Sequence, residues 1–214
     1  MSRSYRWGPL AGVASIVLIV VAFMVAGSSP NTNGDTSKIV TFLAKNSNFN
    51  RNVAALFIAL AGLMLLVVFW TVVRSWLVTD ARFANHGALA SVTGTVSAVF
   101  LFMALAGFTA PLFAAHDARP EAVDPNFYRL MNDFGYLFWV AAAGFAAIAL
   151  WATSAAVLAG AGLPKWFGWV GIVLGVLLLG AVAFFPMFGY GIWVLIASIL
   201  LAMRGTTSAA AAAP

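Results

Sequence analysis

The sequence predicts an all-α fold: a polytopic membrane protein with six transmembrane helices and a short amphipathic helix in the first outer loop. Three observations carry this. Hydrophobic residues make up 63% of the 214 and charged residues only 8%, with a mean hydropathy of +0.99, whereas a soluble globule carries about 25% charge. The apolar residues gather into six blocks, most near the length of about 20 residues that crosses a hydrocarbon layer about 30 Å thick. Basic residues and tryptophans stand singly at the block ends, where headgroups and water begin. Residues 1–204 leave room for one bundle and no second soluble domain.

The first span is expected at 9–27, after Arg3, Arg6 and Trp7, with Pro9 tolerable in the first helical turn. Its apolar core is longer than a signal-peptide core, so an uncleaved anchor is expected. In the polar stretch that follows, Asp35, Thr36 or Ser37 can cap a helix. Ile39, Phe42 and Leu43 then share one face and Lys38, Thr41 and Lys45 the other. This is the amphipathic segment, expected to rest on headgroups. The second span, 53–73, lies between Arg51 and Arg74, with Trp70 and Trp76 expected at interface depth. The third, 87–110, carries Ser91, Thr93, Thr95 and Ser97 on more than one face, which suits hydroxyls bonded to carbonyls one turn back or on a neighbouring helix.

The fourth span, 134–159, is alanine-rich, with Ala143, Gly144 and Ala147 as a small-residue face. A tight GAGLP turn, 160–164, leads into the fifth span at 166–185. There Gly168, Gly171 and Gly175 form the helix-packing face, since small residues let backbones approach in lipid. The sixth span, 187–203, ends at Arg204, and the alanine-rich tail 205–214 is expected to be disordered.

Charge sets the orientation. One set of segments carries Arg3, Arg6, Arg74, Arg82, Lys165 and Arg204 against Asp80. The other carries Lys38, Lys45, Arg51, Arg119 and Arg129, balanced by Asp35, Asp117, Glu121, Asp124 and Asp133. The positive-inside rule weights the short loops beside the spans, so both termini are placed in the cytoplasm and loops 28–52 and 111–133 outside, in the cell membrane.

Several functions are disfavoured. The net charge of +5 and pI near 10.1 come from scattered residues, not a stripe, so no nucleic-acid partner is expected. The absence of cysteine removes disulfides, thiolate metal sites and iron–sulfur clusters. No ionisable residue falls mid-span, which argues against ion-coupled carriers. The two histidines, His86 and His116, are separated by a bilayer core of about 30 Å, which forbids a haem clamp. No cofactor is expected.

The one concentration of polar groups is the central stretch TAPLFAAHDARPEAVDPNFYRLMNDFGY, from Thr109 to Tyr136. His116, Asp117, Glu121, Asp124 and Asp133 are the candidate site there, for a divalent cation or an acid and base. Their spacing matches no metal or calcium motif. The stretch therefore reads first as a solvated outward hinge between two three-helix halves.

The segments DTSKIVTFLAKN, FWTVVRSWL, LPKWFGWVGIVLGVLLL and FPMFGYGIWVLIASILLAMR together resemble a group of small uncharacterised six-helix integral membrane proteins common in actinobacteria. The resemblance implies the topology and transfers no functional residue. The leading functional expectation is a non-catalytic envelope accessory or partner-binding protein, working in the lipid bilayer as a homo-oligomer or with a membrane partner. The alternatives are a carrier or sensor for an apolar small molecule or lipid, and a membrane enzyme with its site at 111–133.

Overall fold

The computed structural model describes residues 8–118, 123–180 and 185–210, the last six through their backbone. Among these residues it is all helical. The elements are α1 (Leu10–Ala26), α2 (Thr36–Leu43), α3 (Asn46–Leu77), a 3-10 turn (Ala81–Phe83), α4 (Ala84–Asp117), α5 (Pro125–Leu158), α6 (Lys165–Leu179) and α7 (Phe185–Ala210). Four helices, α3, α4, α5 and α7, are long and apolar enough to cross a membrane, while α1 and α6 are shorter apolar helices. Large apolar side chains stand exposed on their flanks, among them Met24 at 74%, Phe57 at 65%, Leu137 at 64% and Trp169 at 62%. That is the inverse of a soluble surface and fits a helical membrane protein.

Each of α1, α3, α4, α5 and α6 packs on the next in that order, and α7 closes the ring between α6 and α1. Glycines set the close approaches. An added side chain at Gly62 would meet the Ser15 carbonyl and the Leu18 and Ile19 side chains of α1, and at Gly107 it would meet the backbone of Gly135 on α5. Ser97 ties α4 to α5 by donating to the Ala142 carbonyl at 2.8 Å, whereas Thr93 returns its bond to Leu89 one turn back at 2.7 Å. Both uses spare a hydroxyl the cost of lying unbonded in an apolar interior, about 1–3 kcal/mol.

Aromatic rings fill the space beside α7. The Trp70 indole of α3 donates to the Tyr190 hydroxyl at 3.2 Å. Trp70 stacks on Trp193 at 6.3 Å, and Trp193 on Phe167 of α6 at 4.7 Å. Trp70 is completely buried, so it is a core residue and does not sit in an interfacial belt. Bulk and stacking outweigh its polar edge, because Tyr190 takes the indole hydrogen.

Helix ends depart from the expected spans in one systematic way. α3 begins seven residues before residue 53. α4 continues through Pro111 to Asp117, and α5 already starts at Pro125. At 1.5 Å per residue these three helices are about 48–51 Å long, well beyond the apolar layer. The central stretch is thus helical over 111–117 and 125–133; residues 118, 123 and 124 lie between the two helices, and 119–122 lie outside the described residues. Pro111 is buried in α4 without ending it. α6 is shorter than the expected 166–185, stopping at Leu179, and α7 continues to Ala210, so 205–210 extend a helix where disorder was expected. Residues 181–184 and 211–214 lie outside the described residues.

Candidate functional site

The long helices create two polar ends. At one end, which we call the clasp end, lie the α1–α2 link, α2, the start of α3, the end of α4 and the start of α5. Asp35 caps α2 by accepting from the Ser37 N–H at 3.0 Å, and this bond holds its carboxyl below the ordinary value. Ile39 and Leu43 then point into a small core with Leu112, Ala115, Val123 and Tyr128, and are 0% and 4% exposed. The apolar face read from the sequence as a headgroup-resting surface is therefore covered by protein.

A clasp holds this cap in place. The Arg129 guanidinium donates to the carbonyls of Thr32 at 2.9 Å and Gly34 at 3.4 Å, to Thr36 Oγ1 at 3.3 Å and to Asn126 Oδ1 at 3.0 Å. The Tyr128 hydroxyl donates to Pro30 O at 2.9 Å, and burial pushes that phenol's pKa up. Arg51 donates to Val25 O at 3.0 Å, in the last turn of α1, where a cation suits the negative end of the helix.

The sequence-derived cluster is dispersed here. His116 lies in the last turn of α4 and stacks on Phe49, with centroids 3.9 Å apart and planes 8° from parallel. Asp117 is the exposed final residue of α4. Asp124 is occupied as the N-cap of α5, accepting from Asn126 N–H at 2.9 Å. Asp133 is exposed nine residues along α5, about 13 Å further on. Glu121, like Arg119, lies outside the described residues. Among the described residues no three His, Asp or Glu side chains group as a metal site would require.

Gly168, Gly171 and Gly175 are buried and face α5. A side chain at Gly168 would meet Leu158 and the Ser154 carbonyl, at Gly171 it would strike the Ser154 hydroxyl and stand 2.9 Å from Trp193 Nε1, and at Gly175 it would strike the Trp151 indole. Trp151 in turn donates to the Ile172 carbonyl at 3.1 Å. This face is spent inside the chain, so it offers no docking surface to a partner.

The opposite end holds a concavity that sequence reasoning missed. The α3–α4 link, the α5–α6 turn and the last turns of α7 enclose about 230 Å³, lined by Trp76, Leu77, Thr79, Asp80, Phe83, Gly160, Ala161, Gly162 and Arg204. Arg204 donates to Ala161 O at 2.9 Å and lies over the Trp76 ring, 5.9 Å from its centroid. Gly162 has φ +86°, and a side chain there would run into that guanidinium. Asp80 forms an ion pair with Arg82 at 2.7 Å, closed by two further bonds from Arg82 Nε at 3.1 and 3.2 Å. The bonds from Arg82 lower the Asp80 pKa, and Asp80 raises that of Arg82. In the sequence these residues read only as turn formers and single charges beside apolar runs. The one available signal was Trp76 and Arg204, each at the end of an apolar block on the same predicted side.

Comparison of the chain with protein-family models, with curated proteins and with solved structures finds no match in any of the three.

Proposed function

We propose that the chain is a six-span protein of the cell membrane, of the group it resembles in sequence, with a non-catalytic role as an envelope accessory or partner-binding protein. The supporting observation is how the polar side chains at the clasp end are used. Asp35 and Asp124 cap helices, Arg51 and Arg129 hold carbonyls, and His116 stacks on a ring. These are structural uses, and among the described residues no three His, Asp or Glu side chains group together, which does not favour the outer-loop enzyme reading. In this reading α1 and α6 also cross the bilayer, the clasp end faces outward, and the pocket end with both termini faces the cytoplasm. Lateral partners then meet the exposed apolar helix flanks and not the α6 glycine face.

The pocket end supports a second reading, a sensor of lipid, because its concavity combines aromatic walls with a cation at the place where headgroups would lie.

The absence of cysteine makes the topology directly testable. Asp117→Cys in intact cells should react with a membrane-impermeant maleimide and Thr79→Cys only after permeabilisation; the reverse pattern overturns the orientation. For the role, His116→Ala/Asp117→Ala/Asp133→Ala should restore a deletion strain as well as the wild type does. Failure of that well-expressed variant would return the outer end to candidacy as an enzyme site.

A further inference from the structure

We propose that the junction of α5, α6 and α7 holds one buried water, bound between the Ser154 hydroxyl and the Trp193 indole N–H beside Gly171. The site is separate from the pocket and from the clasp, and it stands whichever role the chain plays in the membrane.

The hydroxyls come first. A serine or threonine inside a helix commonly returns its hydrogen bond to the carbonyl one turn back. Thr153 does so to Ala149 O at 2.9 Å and Ser198 to Val194 O at 2.7 Å, while Ser97 crosses to Ala142 O on the next helix. Ser154 does neither. It is fully buried, and its Oγ has no hydrogen-bond partner among the described residues. Trp193 is 1% exposed, and its Nε1 likewise has none. The equally buried Trp70 gives its N–H to Tyr190. Buried polar groups are rarely left unbonded, because each then carries its full desolvation cost.

The two unpartnered groups face one corner. A side chain at Gly171 would strike Ser154 Oγ and stand 2.9 Å from Trp193 Nε1. Both polar atoms therefore look onto the stretch of α6 backbone that glycine leaves bare, Ser154 from α5 and Trp193 from α7. The indole is not free to turn away. Its ring is stacked on Trp70 on one flank, with planes 20° apart, and on Phe167 on another, with planes 18° apart. Its N–H direction is fixed by that stacking, so an acceptor has to come to it.

Chemistry selects water as that acceptor. The indole N–H only donates, whereas a hydroxyl both donates and accepts. A water can accept from the first and exchange a bond of either sense with the second. An ion would bring a buried charge to two neutral groups, which is costly. The close approach of α5, α6 and α7 at Gly171 excludes anything much larger. Buried waters of this kind occur about once per 27 residues and bond groups that are otherwise unsatisfied. Such a bridge is nearly as favourable as a direct bond. Here it would tie α7 to α5, two helices that α6 separates in the ring.

The test is a crystal structure of the full-length protein grown in a lipid phase, at a resolution that shows ordered waters, together with the melting temperatures of two serine variants in mild detergent. The density should hold one water peak about 2.7–3.2 Å from both Ser154 Oγ and Trp193 Nε1. Ser154→Ala and Ser198→Ala make the same change in helix propensity at fully buried positions. Ser198 gives up only a bond to its own helix, whereas Ser154→Ala removes one of the two anchors of the water. Ser154→Ala should therefore melt at the lower temperature. A hydroxyl with no water to bond would give the opposite order, since its removal would relieve a desolvation cost. The proposal is overturned if the density shows no peak, if Nε1 bonds directly to Oγ, or if Ser154→Ala melts at or above Ser198→Ala. The wild-type density decides the matter by itself should either variant fail to fold.

Discussion

Two glycine-to-alanine substitutions separate a close approach from an open flank by the same chemical change. At Gly94 an added methyl would be driven into the indole ring of Trp70, with three ring atoms as its nearest neighbours. Trp70 has nowhere to retreat: it is fully buried, bonded to Tyr190 at 3.2 Å, and stacked on Trp193. Overpacking of this kind costs about 1–3 kcal/mol, and displacing the indole from Tyr190 adds about 1 kcal/mol. Alanine recovers up to about 1 kcal/mol over glycine in a helix. The net is a loss of about 2 kcal/mol, which lowers the melting temperature by about 4–8 °C in a chain of this length. At Gly144 the same methyl meets nothing within 4 Å, so only the helical gain remains and the melting temperature holds or rises by up to about 4 °C. The assay is thermal unfolding of each purified variant in the same detergent, followed by size exclusion or intrinsic fluorescence. If Gly94→Ala melts at or above Gly144→Ala, the assignment of Gly94 as the seat of Trp70 is wrong.

Two further predictions concern the clasp end. Arg129→Ala removes the donors to Thr32, Gly34 and Thr36. Charged hydrogen bonds contribute about 1.5–3 kcal/mol, so amide exchange in 36–43 should accelerate about tenfold or more while the buried middle of α5 is unaffected; uniform acceleration would show that Arg129 supports the whole bundle instead. The second follows from Asp35, whose folded-state pKa is depressed by the Ser37 N–H bond. A depressed carboxyl contributes stability that is present above its unfolded value of about 3.9 and lost as pH falls through the folded value. Protection of α2, corrected for intrinsic exchange, should therefore decline below about pH 4. Asp35→Asn keeps a capping side chain but no charge to titrate, and it should flatten that decline; an equally steep decline in the variant would exclude Asp35 as its source.

Much of the helical layout was legible because hydropathy is a local property. The block at 9–27 corresponds to α1 at Leu10–Ala26, since apolar residues end where the helix ends. The blocks at 87–110 and 134–159 underestimate α4 and α5 at the clasp end. There the sequence turns polar, with Arg129, Asn132 and Asp133, while the backbone stays helical because polarity marks exposure and not helix termination. The register of α2 was legible too, with Ile39 and Leu43 on one face. What covers that face was not, because Leu112, Ala115, Val123 and Tyr128 are brought to it by the bundle. The acids of the central stretch looked convergent only because they are close in sequence. Helix geometry then spreads His116, Asp124 and Asp133 over two helices and several turns.

Composition and apolar block length alone thus determined an all-helical protein with several helices suited to a membrane, and a helix cap at Asp35, Thr36 or Ser37 and the Gly168–Gly175 pattern were already visible in short windows. Tertiary structure decided where those features point. It turned the glycine face inward onto Ser154 and Trp151, buried Trp70 beneath α7, and set Trp76, Asp80, Gly162 and Arg204 around one pocket. The physical reason is sequence distance. Hydropathy and capping act within a few turns of one helix, whereas residues 76 and 204 become neighbours only when the bundle brings the C-terminal parts of α3 and α7 to the same end.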